Sequence, residues 1–109
     1  MEYAAGNIFI REGKLDRANI MAGHEHNFDH VTYIAKGAAR IEKLDAADNV
    51  VSSIEKTAEQ GQNWVLVKAG VRHRVTALVD GTVYHCIYAH RTPQGDIVQE
   101  WDGWGKAYE

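Results

Sequence analysis

The chain has 109 residues, of which 45% are hydrophobic and 25% charged, and its net charge is −3 with the histidines neutral. These values are ordinary for one globular domain, and no basic block marks a nucleic-acid surface. No apolar run is long enough to span a bilayer. We therefore expect a single domain over residues 1–109 that binds neither nucleic acid nor membrane.

The cysteine content and the N-terminus point to a cytoplasmic protein. Cys86 is the only cysteine, so the chain cannot form an internal disulfide. The first six residues lack a basic segment followed by an apolar one, so no signal peptide is expected. A reducing cytoplasm is the simplest location for such a chain.

Short runs of apolar and β-branched residues, separated by turn residues, follow one another along the chain and predict successive β-strands. The predicted strands are 7–11, 31–35, 39–42, 50–54, 63–67, 74–79 and 82–88, with 97–101 as a candidate last strand. Asp48-Asn49 predicts a turn, and Asp80-Gly81 predicts a β-hairpin. The best helical candidate, 53–60, is short and lacks an apolar stripe. Eight or nine short strands are typical of a β-sandwich or β-barrel.

Four of the six histidines form a candidate metal site. His24 and His26 would share one face of a strand, with α-carbons roughly 7 Å apart. His30 would approach from a neighbouring strand after a bend over 27–29, and His73 from a distant strand. Imidazole nitrogens bind divalent ions at about 2.0–2.1 Å, so such a set is suited to one ion. An accidental His-rich loop is the alternative.

These residues resemble the first motif of the cupin family, which here covers residues 18–37. That motif is a Gly, then His-x-His, a gap of three or four residues, a Glu, and a Gly after six more. His24, His26 and Gly37 match, and His30 occupies the position of the Glu. Ala18 stands where the leading Gly would be.

The second cupin motif is matched in part over residues 61–77. Gly61, Gly70 and His73 match its glycines and histidine. Lys68 and Ala77 stand where a Pro and an Asn are expected, and the spacing from Gly61 is one residue longer.

The resemblance implies an all-β, single-domain, cupin-type jelly-roll β-barrel with one divalent transition metal: Mn, Fe, Ni, Cu or Zn. Its ligands would be His24, His26, His30 and His73. It also implies a metal-dependent enzyme acting on a small molecule, with a dioxygenase-type oxidoreductase favoured and an isomerase or lyase next. A non-catalytic module that binds a small ligand or a metal is the alternative from another class. Small cupins commonly pair, so a homodimer is the default expectation.

Four neutral imidazoles would leave the full double positive charge on the ion. Such a site should attract anionic chelators such as enolates or 2-oxo acids, and leave two positions for substrate or dioxygen. Because the ligands must be neutral, we expect metal loss below about pH 6.

In the cupin frame, the strand after Asp80-Gly81 lines the pocket. Tyr88 is then the candidate catalytic residue, as a donor of a hydrogen bond or a proton. The candidate pocket-lining residues are Thr32, Ile34, Tyr84 and Cys86. Tyr84 and Cys86 share a strand face with Tyr88, and Thr32 and Ile34 share one with His30. Packing in the core is the alternative for each.

The remaining aromatic residues are interpreted as structural. By parity, His85 and His90 lie on opposite faces of one strand, and neither is predicted as a ligand. The C-terminal tail over 97–109 contains Trp101, Trp104 and Tyr108. It is interpreted as a flap that packs on the barrel or on a second subunit, with a substrate-stacking lid as the alternative.

Overall fold

The computed structural model describes residues 1–5, 7–24, 26–97 and 106–108, and only the backbone of residues 5, 22–24 and 106–108. All regular secondary structure in these ranges, apart from turns, is β-strand. No helix of the length and apolarity needed to cross a membrane is found among them. The strands are β1 (Glu2–Ala5), β2 (Ile8–Leu15), β3 (Ile20–His24), β4 (His30–Lys36), β5 (Ala38–Leu44), β6 (Val50–Thr57), β7 (Trp64–Val67), β8 (Arg72–Ala77), β9 (Thr82–Ala89) and β10 (Lys106–Tyr108).

The strands form two antiparallel sheets. The larger has the order β10-β1-β2-β9-β4-β7, and the smaller has the order β3-β8-β5-β6. In β8 and the first part of β9, buried residues alternate with partly exposed ones, as strands with one buried face require. Residues from both sheets form the buried core, which consists of Ile34, Ala39, Ile41, Val75, Tyr84 and Cys86. The predicted all-β architecture is confirmed.

The turn at Asp80-Gly81 corrects one prediction. Gly81 has the positive φ of 70° that such a turn favours. The strands on either side do not pair with each other, because β8 lies in the smaller sheet and β9 in the larger. The turn therefore carries the chain between the sheets. Turn residues indicate that the chain reverses, but they do not determine which strands pair.

The smaller sheet contains a β-hairpin whose turn lies at the predicted position, Asp48-Asn49. This turn joins β5 to β6, which pair along their length. The short helical candidate at 53–60 is not a helix, because β6 continues to Thr57. A strand pairing satisfies the backbone hydrogen bonds of this segment, and a helix without an apolar stripe would have had nothing to pack against.

The two chain ends form strands that the sequence did not indicate. β1 pairs with β2, and β10 pairs with β1, so that Tyr108 lies opposite Glu2. Ile97 forms an isolated bridge with Arg91. The rest of the predicted strand 97–101 lies outside the described residues, as do Trp101 and Trp104.

Candidate metal centre

Two histidines face each other across the space between the sheets. His30 is the first residue of β4 in the larger sheet, and His73 lies in β8 of the smaller sheet. Both are buried, at 3% and 1% exposure. Their ring centroids are 4.9 Å apart. The fold thus brings together imidazoles that are 43 residues apart in the sequence.

His26 completes a group of three. Its ring centroid lies 5.0 Å from that of His30 and 6.0 Å from that of His73. One nitrogen from each ring lies within 4.8 Å of the other two. Three nitrogens at about 2.1 Å from one ion lie roughly 3.0–3.6 Å apart, so these rings would have to move closer by about 1–2 Å to bind it together. Three neutral imidazoles therefore fit a divalent transition metal.

The structure corrects the sequence-based account of how His24 and His26 are presented. β3 ends at His24, and His26 has no regular secondary structure, so the two residues do not share one strand. The backbone of His24 lies opposite His73 in the register of β3 and β8. The side chain of His24 lies outside the described part of the chain, and its role as a ligand stays a prediction.

The predicted origins of His30 and His73 are also reversed. β8, which carries His73, is the direct neighbour of β3, whereas β4, which carries His30, belongs to the opposite sheet. Closeness in sequence suggested a neighbouring strand for His30. The chain instead passes from the smaller sheet, where β3 ends at His24, to the larger sheet, where β4 begins at His30.

Hydrogen bonds between two loops hold the three histidines in place. The Gly70 amide donates to the carbonyl of His26 at 2.7 Å. Asp29 accepts from the Ala69 amide at 2.8 Å and from Lys68 Nζ at 2.9 Å. The Ala69 hydrogen bond, followed by that of Lys68, holds the pKa of Asp29 below its usual value. The charged form of Asp29 therefore links the segment before His30 to the segment before β8.

A backbone carbonyl sets the orientation of the His73 ring. Nδ1 of His73 lies 3.1 Å from the carbonyl oxygen of Val71. A carbonyl only accepts, so Nδ1 carries the hydrogen and Nε2 of the neutral ring carries the lone pair. Metal-binding histidines usually have their second nitrogen fixed in this way.

Aromatic rings border the histidines on one side. The ring of Tyr88 lies 6.2 Å from that of His26 and 4.8 Å from that of Phe28, centroid to centroid. Phe9 packs on Tyr88 at 5.1 Å. The Arg91 guanidinium lies 4.6 Å from the centre of the Phe28 ring. Burial raises the pKa of Tyr88, so its hydroxyl keeps its proton at neutral pH.

Sequence reasoning missed Phe9, Phe28 and Arg91. The position of Phe28 inside the histidine cluster was the available signal. The contact of Phe9 with Tyr88 follows from the pairing of β2 with β9, which places the two residues opposite each other. That pairing joins segments far apart in the sequence, so no local pattern indicated it.

The predicted pocket-lining residues are all inward-facing and buried. Ile34, Tyr84 and Cys86 belong to the core cluster, and the Thr32 hydroxyl lies 3.9 Å from the Cys86 sulfur. Burial raises the pKa of the Cys86 thiol, so it is protonated at neutral pH and is a poor nucleophile and ligand. The predicted parity is confirmed, and a role in lining a ligand pocket stays a prediction.

The two other histidines lie apart from this group. Nε2 of His85 is 2.9 Å from Glu12 Oε2, and its ring stacks on Tyr33 at 6.3 Å. His90 follows the end of β9 and stacks on Phe9 at 5.5 Å. The expectation that both share one strand is therefore wrong, because β9 ends at Ala89.

Comparison with known proteins supports the fold and leaves the activity open. No family model matches the chain, and no curated protein matches it. Among solved structures, it is similar to KdgF from Halomonas sp., with a TM-score of 0.64 and 16% identity over 82% of this chain and 75% of that chain. A cupin-2 domain protein from Shewanella frigidimarina gives a TM-score of 0.58 and 19% identity over 77% and 72% of the two chains.

Oxalate decarboxylase from Bacillus subtilis is also similar, with a TM-score of 0.64 and 16% identity over 84% of this chain. The chain spans only 23% of the length of that enzyme. At such identities, similarity establishes the fold alone. The two sheets, their strand order and these likenesses together show that this chain has the cupin-type jelly-roll fold.

Proposed function

We propose that this protein is a metal-dependent cupin that acts on a small molecule as a dioxygenase-type oxidoreductase. The observation that carries the proposal is the convergence of His26, His30 and His73 on one point inside the barrel. The register position of His24, opposite His73, supports it as the fourth ligand.

The residues of the chain have distinct roles in this proposal. His24, His26, His30 and His73 would hold the ion, which when bound would supply a Lewis acid with open positions for substrate and dioxygen. Tyr88 would hold a proton at its hydroxyl beside the rings of His26 and His30 and donate it to a bound ligand. Phe9 and Phe28 pack on Tyr88 and would keep water away from it.

A lyase or isomerase is the second candidate. The likeness to oxalate decarboxylase supports it, since that protein is named for the removal of carbon dioxide from a carboxylate. A non-catalytic module that binds a small ligand or a metal is the third, and the same three histidines would serve it.

Metal content tests the shared part of these proposals. We expect the protein, dialysed in turn against Mn, Fe, Ni, Cu and Zn, to bind about one equivalent of at least one of them. His30→Ala and His73→Ala should each weaken binding by at least about tenfold, because each removes one ligand bond. His85→Ala is the matched control, since His85 lies outside the group. Elemental analysis measures the bound metal. Full retention by both variants would contradict the proposal.

Oxygen uptake then separates the candidate reactions. The Fe(II)- and Mn(II)-loaded protein is assayed in an oxygen electrode with 1,3-diketones, flavonols and thiols. Uptake with one of them supports the dioxygenase. Absence of uptake, together with isomerisation of a keto sugar or release of carbon dioxide from a carboxylate, would instead identify the isomerase or lyase.

A further inference from the structure

Lys43 lies beside a candidate metal ligand, and its side chain is exposed. It lies on β5 directly opposite His73 on β8. Residues opposite each other in an antiparallel pair project from the same face of the sheet. Two residues along, Ile41 and Val75 form the next such pair, and both are buried in the core. Lys43 therefore projects from the face of the smaller sheet that carries His73, and its side chain is exposed to solvent rather than packed in the core.

One cavity is bordered by both Lys43 and one of the three clustered histidines, His73. It has a volume of about 240 Å³, opens between β5, β6 and β7, and is lined by both Lys43 and His73. Val65 and Val67 form an apolar wall, and Val67 lies opposite His30 in the register of β4 and β7. Ser52, which also lines the cavity, lies opposite Lys43 on β6. A cation and a hydroxyl thus share an otherwise largely apolar wall with a candidate metal ligand.

One carboxylate, Glu42, lines the cavity, and it and the other nearby carboxylates have other partners. Glu42 binds Arg74, Asp48 binds Arg72, and Asp45 accepts from the amides of its own turn. Within the described parts of the chain, no carboxylate lies within 4.0 Å of the Lys43 ammonium. Lys68 also lines the cavity, but it is paired with Asp29. The positive charge of Lys43 is therefore the one available to a ligand in this cavity.

We propose that the cavity binds a small organic acid, with a carboxylate on the Lys43 ammonium and a second oxygen at the histidine group. The proposal rests on the metal site proposed above. Adjacent strands are about 4.8 Å apart, so the row from His73 through Lys43 to Ser52 spans roughly 10 Å. That length suits a dicarboxylate or an oxo acid of a few carbons. One cation beside apolar walls suits a carboxylate better than a phosphate, which usually recruits several donors.

Calorimetric titration of the zinc-loaded full chain with oxalate, malonate, succinate and glutarate tests this. Zinc is chosen because it has no redox chemistry. We expect at least one of these acids to bind, and Lys43→Met to weaken its binding by about tenfold or more, since a charge-assisted hydrogen bond is lost. Lys43→Arg should retain most of the affinity. Lys14→Met is the matched control, because Lys14 lies exposed on β2.

The outcomes separate this proposal from the metal proposal. If the wild-type protein binds none of the five metals, the metal proposal is wrong, and the acid site falls with it. If zinc content is equal in wild type and Lys43→Met but the acids bind both equally, only the acid site is overturned. Equal affinity for inorganic phosphate, dependent on Lys43, would overturn the carboxylate assignment. Circular dichroism of Lys43→Met, with Lys43→Gln as a second variant, shows that the fold is intact.

Discussion

Single polar residues occupy inward positions where aliphatic side chains usually stand. His30, His73 and Thr32 are nearly inaccessible to solvent, and Lys43 lies in the same row as His73. Burying polar groups in a small core costs free energy unless they are hydrogen-bonded, paired or bound to a ligand. Because these polar residues are concentrated around one point, we place the functional site there.

Glu42 is a buried charge that lines the same cavity as Lys43 and is paired with Arg74. It is 5% exposed and accepts from Arg74 Nη2 at 3.1 Å and from the Thr76 hydroxyl at 2.7 Å. The hydrogen bond from Arg74 holds its pKa below the usual 4.5. Since the unfolded chain binds the proton more readily, the stabilisation is complete above pH 4.5. It is lost as the pH falls through the lowered pKa.

We expect Glu42→Gln to lower the free energy of unfolding by about 1–2 kcal/mol at pH 7, because Arg74 loses a charged partner. The difference from wild type should shrink below about pH 4. Urea unfolding between pH 3 and pH 7 measures both effects. Glu55→Gln is the control, since its pair with Arg40 is exposed and should change stability by less than about 0.5 kcal/mol. A loss that is the same at pH 3 and pH 7 would count against this account.

Among the strands, β2 and β9 show how a glycine makes room for a large side chain. Gly13 lies opposite Tyr84 in their register. A β-carbon built on Gly13 would lie 2.1 Å from Cζ of Tyr84, so the tyrosine ring covers the glycine. The ring can reach the core only because this position of β2 has no side chain.

We expect Gly13→Ala to lower the free energy of unfolding by about 1–3 kcal/mol, because Tyr84 must leave its position in the core. Gly61→Ala is the matched control. A β-carbon there meets nothing within 4 Å, and its φ is not positive. Urea unfolding of both variants is the measurement. Equal stability of Gly13→Ala and wild type would show that the ring has another low-energy position.

The whole molecule presents an apolar outer face on its larger sheet. One row of opposed residues crosses five strands and consists of Tyr3, Ile10, Ile87, Val31 and Leu66. Trp64 and Tyr33 lie opposite each other beside it and are exposed. The outer face of such a sheet is normally polar, and contiguous apolar surface marks interaction sites. A second copy of the chain is the occupant that we expect, because a flat apolar face is complementary to itself.

A face of five strands, the longest of eight residues, measures at most roughly 20 by 26 Å, which is below the roughly 800 Å² per partner of a standard interface and suits a weak dimer. We expect a dimer in sedimentation velocity at micromolar concentration. Leu66→Lys should weaken it by about tenfold or more, since it places a charge in an apolar interface. Val51→Lys on β6 is the control, because Val51 is 61% exposed on the other sheet and Leu66 is 51% exposed. A wild-type monomer would refute the expectation.

The sequence by itself determined most of the β-strands, the inward parity of Thr32, Ile34, Tyr84 and Cys86, and the closeness of His26 to His30. Each of these depends on local periodicity, which the order of residues expresses directly. Only the tertiary structure decided that His30 and His73 face each other from opposite sheets, that Asp80-Gly81 joins two sheets, and that Lys43 lies beside His73. Those facts depend on which strands pair, and pairing is set by contacts between segments far apart in the chain.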